Sequence, residues 1–220
     1  MIEVVKTLRP QDIVVELDNG HGTRIYTKGK CSSDGRYYEG EWSRMMVQKL
    51  AMALREIGFD ARIIVPEQTD ILLHERCRRA NAIMAANPGK QHLYVSIHTN
   101  ADAEGNLVNG WSKASGLCVY CSTRASKASK IIARNVYDAG AEIGLAGNRC
   151  VPPAHYWQAG FTVITDTRMP AILTESAFHT NRKDVDFLLS ERGQEAVINY
   201  HILGICRSFG IPCPVKIGKP

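Results

Sequence analysis

Ile13 to Thr23 reads IVVELDNGHGT, a short apolar run followed almost at once by a histidine between two glycines. Ile13 to Leu17 is dominated by β-branched and apolar residues, which predicts a buried strand. Glycine leaves the backbone free to turn sharply. Gly20 and Gly22 are therefore expected to turn the chain so that His21 points away from the strand's carboxyl end. The rest of the chain decides whether that histidine is only a turn residue.

Working outward, Asp18 to Tyr38 reads as a long loop rich in Gly, Ser and Lys. From Trp42 to Ile57, residues Met46, Leu50, Ala53, Leu54 and Ile57 fall on one helical face, with Gly58 placed as the C-cap. Phe59 to Val65 predicts a second strand. Leu72 to Ala86 predicts a helix stopped by Asn87-Pro88-Gly89, and His92 to Ile97 a third strand. Gly116 to Cys121 reads as a fourth strand, and Ser126 to Ile143 as a helix with Ser126 as its N-cap. Two short strands are expected at Phe161 to Thr165 and Ala171 to Thr174, then helical segments at Asp184 to Leu189 and Gly193 to Phe209. Strands alternating with helices predict an α/β fold: a single domain, residues 1–211, with a twisted, mainly parallel sheet of about six strands flanked by helices. Residues 212–220 read as a Pro- and Lys-containing tail expected to fray.

The bulk composition excludes several classes. The 220 residues carry 27 Lys and Arg against 22 Asp and Glu, a net charge of +5 spread along the chain. No basic stripe is interleaved with aromatics, so no nucleic-acid partner is expected. No apolar run approaches the roughly 18 residues that membrane insertion needs. The seven cysteines are odd in number and irregularly spaced, which argues against a disulfide framework. Cys118 and Cys121 form a CxxC, but strand alternation sends their thiols to opposite faces. The start, MIEVVKTLRPQD, has no apolar core of a secretory signal, so synthesis in the cytoplasm is expected. Oligomeric state is left open.

In open α/β sheets, sites form outside the carboxyl ends of the strands. There the first strand delivers Asp18-Asn19-Gly20-His21, the third Ser96-Ile97-His98-Thr99-Asn100, and the last Leu173-Thr174-Glu175. Glu39 and Glu41 add carboxylates where the long first loop enters its helix. Two histidines and one carboxylate are the ligand set of a hydrolytic zinc site, and a further carboxylate off the metal is the general base such chemistry uses. The plainer readings are a turn residue for His21, a backbone-bonded edge histidine for His98, and an ion pair of Glu175 with Arg168 or Arg182.

With these segments in place, the chain resembles the type 3 family of zinc-dependent N-acetylmuramoyl-L-alanine amidases, peptidoglycan hydrolases of bacteria and their phages. The resemblance rests on NGHGT, DGRYYEGEWSR, LLHERCRRAN, VSIHTNA and PAILTESAFHTN in the family's order, from about Ile13 to Gly210. It implies zinc held by His21, Glu39 and His98, with Glu41 the competitor for Glu39, which stands four residues before Ser43. It implies Glu175 as the catalytic glutamate. The reaction implied is hydrolysis of the amide between N-acetylmuramic acid and L-alanine of the stem peptide, in peptidoglycan or muropeptides. Leu73, Arg76 and Asn81 match positions expected to serve packing and helix-to-loop bonds, and His179 is expected to cap or pack. Asn19 and Asn100 are candidates for orienting ligands or substrate. The loops Thr99 to Ser115 and Leu145 to Gln158, with His155, Tyr156 and Trp157, are placed to wall a groove or to cover the domain's own core. Two departures stand out: Asn148-Arg149-Cys150 replaces an Arg-Gly pair, and Asp18-Asn19 replaces Asp-Pro.

Three rival readings fit the sequence less well. A carboxypeptidase-like zinc enzyme needs an HxxE pair, and Arg24 occupies that place after His21. A cell-wall binding module without activity predicts a missing ligand or base, and none is missing. A structural protein without metal does not account for motifs scattered over the chain. A phage or prophage endolysin acting on the cell wall fits a chain read as lacking a signal.

Overall fold

Alternation along three neighbouring strands decides which residues meet in this fold. The computed structural model describes residues 8–215. After a single 3-10 turn at Pro10–Asp12, the chain runs through β1 (Ile13–Asn19), α1 (Glu39–Ile57), β2 (Asp60–Ile63), α2 (Leu73–Ala86) and β3 (Gln91–Asn100). It continues through β4 (Cys118–Ser122), α3 (Lys127–Glu142), β5 (Trp157–Ala159), α4 (Thr162–Thr165), β6 (Ala171–Phe178), α5 (Arg182–Leu189) and α6 (Glu191–Phe209). The sheet order is β2-β1-β3-β6-β4-β5. Only the β4–β6 pair is antiparallel; the other four pairs are parallel. The fold is thus α/β with a six-stranded, mostly parallel sheet, as its alternating elements predict.

Side chains two apart on a strand share a face. Ile13, Val15 and Leu17 of β1, with Leu93, Val95 and Ile97 of β3, join the larger core with α1, α3 and α6. Tyr94, Ala171 and Leu173 join a smaller core with Cys77 and Ala80 of α2 and Val163 and Ile164 of α4. Asp18, Ser96, His98 and Glu175 continue the same rows as these second-face residues. The face they share is covered by one medium and one very short helix, and that thin cover leaves room for a cleft at the carboxyl end.

Several element boundaries differ from expectation in ways that matter. The run Thr162–Thr165 is a helical turn, not a strand, although all four residues are β-branched or Thr. Burial of Val163 and Ile164, and a contact from Cys77 Sγ to Thr162 O at 3.6 Å, override strand propensity here. The edge strand falls earlier, at Trp157–Ala159, where Trp157 packs against Tyr120 and Tyr137. Helix α1 begins at Glu39 rather than Trp42, so Glu39 and Glu41 lie in its first turn. Strands β3 and β6 run on to Asn100 and Phe178, which puts His98 and Glu175 inside strands rather than after them.

Ser126 caps α3 by accepting from Ser129 N, and Gly58 closes α1 in the left-handed region, both as expected. All seven cysteines are free, and Cys118 and Cys121 are both buried. Of the expected tail, residues 216–220 lie outside the described residues, whereas Cys213 and Val215 pack against the larger core. No helix among the described residues is long and apolar enough to cross a membrane.

The second face also carries a buried carboxylate far from the cleft. Glu16 lies against His92 Nδ1 at 2.8 Å, and its other oxygen has no partner. Burial, opposed by the hydrogen bond from His92, raises its carboxyl from 4.5 to about 7. Between those two values the unfolded chain releases a proton that the folded chain keeps, so stability falls as pH rises through this window. Urea unfolding of Glu16→Gln is expected to lose that slope and, above the window, to exceed the wild type by up to about 3 kcal/mol. A variant that keeps the wild-type slope would remove Glu16 as its source.

Candidate active site

The head of α1 holds the His21 loop by three contacts. Gly40 lies so close to the loop that a Cβ there would stand 1.8 Å from Gly22 O. Ser43 Oγ donates to Gly20 O at 3.0 Å, and Arg44 Nη1 donates to His21 O at 2.8 Å. His21 itself has φ 58, a left-handed conformation that a residue with a Cβ adopts only under constraint. The expected role of the flanking glycines is therefore corrected. Neither Gly20 nor Gly22 has a positive φ, and histidine takes the turn. The glycines supply room instead: a Cβ on Gly20 would lie 2.4 Å from His98 Nδ1, and one on Gly22 would lie 2.8 Å from Asp70 N. Gly20→Ala is expected to push the His98 ring aside and weaken the affinity of this cluster for a divalent cation on the order of 10–100-fold, measured by competition with a chromogenic chelator. Unchanged affinity would show that the ring has slack the packing does not reveal.

Strand register supplies the next two residues. His98 of β3 pairs with Glu175 of β6, side by side on the same face. Beyond them the register slips, so that Asn100 pairs with Phe178, and Ala177 at this irregularity has φ 141. Glu39 reaches over the sheet end from α1. Its Oε1 lies 3.0 Å from His98 Nδ1 and accepts from Thr99 N at 3.1 Å, and its Oε2 lies 3.5 Å from His21 Nε2. One donor atom from each of His21, Glu39 and His98 falls within 4.8 Å of the others. The two rings meet edge to face, with centroids 5.3 Å apart. Two nitrogens and a carboxylate oxygen at this spacing, open on one side to a cleft, fit a divalent cation of the zinc type.

Glu41 is not part of the cluster. It points outward and pairs with Arg24 at 3.3 Å. His179 stacks on Tyr37 and bonds Thr99, with Nδ1 3.9 Å from Glu39 Oε2, so it packs behind the carboxylate as expected of it. Burial works against the charge on Glu39, but the hydrogen bond from His98 and the nearby imidazoles outweigh it and hold its carboxyl low. Glu175 goes the other way. Burial pushes its carboxyl well above the usual range; His98 opposes the shift and the charge on Glu39 adds to it. Its Oε2 is buried without a partner, and among the described residues no ion pair joins Glu175 to Arg168 or Arg182. The plainer reading of His98, a bond to a backbone carbonyl, does not hold: its ring nitrogens face Glu39 and Ser96 Oγ.

Above these groups lies a cleft of about 650 Å³. His21, His98 and Glu175 line its floor; Ile71, Leu72, Leu73 and Phe161 form an apolar lip, and the exposed Lys30 adds a cation at its mouth. Lys30 is fixed by its backbone, because its carbonyl accepts from Glu39 N at 2.9 Å. Sequence reasoning missed it, since a lysine in a Gly- and Lys-rich loop carries no signal of its own. Leu73, expected to pack, is half exposed and lines the lip. Asn81 serves as expected, bonding Asp166 O and Arg168 N. The loop 145–156 does not wall this cleft: His155 bonds Asp138 on α3, and Trp157 covers aromatic packing. Residues 160–163 take that place. Asn19 sits between Val65 O and Arg44 Nη2, tying the end of β1 to its neighbours rather than facing the cleft.

Comparison with known proteins agrees with this geometry. Residues 15–207 match the family model described as N-acetylmuramoyl-L-alanine amidase. The endolysin of Bacillus phage SPP1 is 26% identical, over 94% of this chain and 72% of its own length. The N-acetylmuramoyl-L-alanine amidase from Clostridium difficile 630 is 25% identical with a TM-score of 0.74, covering 91% of this chain and 98% of that one. The N-acetylmuramyl-L-alanine amidase of Mycobacterium smegmatis shares the fold, with a TM-score of 0.77 at 17% identity over 92% of this chain and 99% of its own. With nearly its whole length matched, the chain belongs to the N-acetylmuramoyl-L-alanine amidase family and is a hydrolase of a carbon–nitrogen amide bond.

Proposed function

We propose that the chain is a zinc-dependent amidase, with His21, Glu39 and His98 as ligands and Glu175 as general base. Its substrate is the amide joining N-acetylmuramic acid to L-alanine in peptidoglycan or muropeptides. The observation that carries this reading is the convergence of three ligand atoms within 4.8 Å beside a buried carboxylate whose Oε2 has no partner. When bound, zinc supplies a Lewis acid that polarises the scissile carbonyl and acidifies water.

The protein's own residues do the remaining work. Glu175 takes the proton of the attacking water at its unpartnered oxygen and returns it to the leaving amine of L-alanine. Its low-dielectric setting keeps the carboxylate basic enough for that transfer. Lys30 at the mouth attracts anionic groups of the stem peptide, and the apolar lip offers a seat for its small side chains. Similarity to a phage endolysin over most of the chain supports action on the bacterial cell wall as a phage or prophage endolysin.

Mass analysis of muropeptides incubated with purified protein tests the reading. The expected product is free stem peptide beginning with L-alanine, abolished by a chelator and restored by zinc. Glycan cleavage with the amide intact would overturn it.

A further inference from the structure

Three buried residues that the proposed chemistry does not use form a chain leading into His98. Arg76 Nη1 donates to Asp18 Oδ1 at 2.7 Å, and Ser96 Oγ donates to Asp18 Oδ2 at 2.8 Å. Ser96 Oγ then lies 3.1 Å from His98 Nε2. Ser96 and His98 are two apart on β3 and share a face, while Asp18 faces Ser96 across the β1–β3 register. Arg76, Asp18 and Ser96 are all almost fully buried, so water does not compete for these bonds.

The proton count along this chain settles the imidazole. A serine hydroxyl has one proton, and a carboxylate paired with arginine only accepts. Ser96 therefore gives its proton to Asp18 and has only lone pairs left for His98. Nε2 must then carry the proton of a neutral ring, while Nδ1 faces Glu39 Oε1 3.0 Å away, where a second ring proton makes the hydrogen bond to Glu39 and a metal ion can take that proton's place.

We propose that Asp18, acting through Ser96, fixes His98 as its Nε2–H form and so presents Nδ1 to the metal. Asp18 and Ser96 are positioning residues, and Arg76 holds Asp18 in place. The Asp18 of the LDN segment, the Ser96 of VSIH and the Arg76 of the second helix thereby share one task. The inference rests on the proposed zinc site for its consequence, but not for the hydrogen-bond order itself.

Two readouts separate these parts. Zinc affinity by chelator competition is expected to weaken 10–100-fold in Ser96→Ala, to weaken in Asp18→Asn, and to stay near wild type in Ser96→Thr. Long-range proton–nitrogen spectra of metal-free protein at alkaline pH are expected to show His98 only as Nε2–H in the wild type and as a tautomer mixture in Ser96→Ala. Wild-type zinc affinity together with an unchanged single tautomer in Ser96→Ala would overturn the proposal. Failure of the wild type itself to bind zinc would overturn the zinc site instead, and the tautomer spectra would still decide the relay.

Discussion

Glu175→Gln is expected to lower kcat about 10²- to 10⁴-fold while zinc content stays at the wild-type level. The substitution keeps shape and removes only the ability to take a proton. His98 and Glu175 are register partners on β3 and β6, so the backbone that positions the base is not disturbed. The buried Oε2 has no partner to lose, and a neutral amide is easier to bury there than a charge. The pH profile gives an independent check. A base must be deprotonated to act, and burial raises the Glu175 carboxyl, so the rising limb of kcat/KM should stand above the ordinary carboxylate range in the wild type. Bound metal pulls that limb back toward acid, and the glutamine variant should lack it altogether. Activity within a few-fold of wild type would remove Glu175 from the chemistry.

The largest stability effect is expected at Arg76. Its guanidinium binds Asp18, Asn19 O, Ile71 O and Asp70, and only 2% of the residue is exposed. Arg76→Met fills much of the same volume but strands Asp18 in the interior without a counter-charge. Breaking one side of a buried pair in this way costs about 3–5 kcal/mol, whereas replacing both sides is far milder. Urea unfolding should therefore show a large loss in Arg76→Met and a partial recovery in Asp18→Asn/Arg76→Met. A loss below about 1 kcal/mol would mean that the cleft wall admits water to Asp18.

How far the sequence could be read depends on what each residue advertises. His21, His98 and Glu175 sit at strand ends in runs of strong periodicity, and the family's motif order assigned them and Glu39 their roles. Glu39 was harder to place by pattern, because apolar periodicity starts only at Trp42 and says nothing of the helix's first turn. The edge strand and the turn at Thr162 exchanged places because four β-branched or Thr residues carry strand propensity while Trp157 to Ala159 is too short to register. Asp18 and Ser96 were visible as letters in the right segments, but their partnership depends on the β1–β3 register, which no local pattern states. The turn at His21 is hidden from the sequence for a similar reason. Glycine suggests conformational freedom, whereas here its missing Cβ makes space for a ring from another strand.

The strand order has one more consequence. His98 and Glu175 hang from β3 and β6, the two middle strands of six, about 5 Å apart as neighbouring strands must be. Their separation cannot change without splitting the domain, so the spacing between the proposed ligand and the proposed base is inherited by every descendant that keeps the fold. The lip residues Ile71, Leu72 and Phe161 are under no such constraint. Lineages are free to rewrite them piece by piece to suit a new wall chemistry, each change trialled without risking the reaction itself.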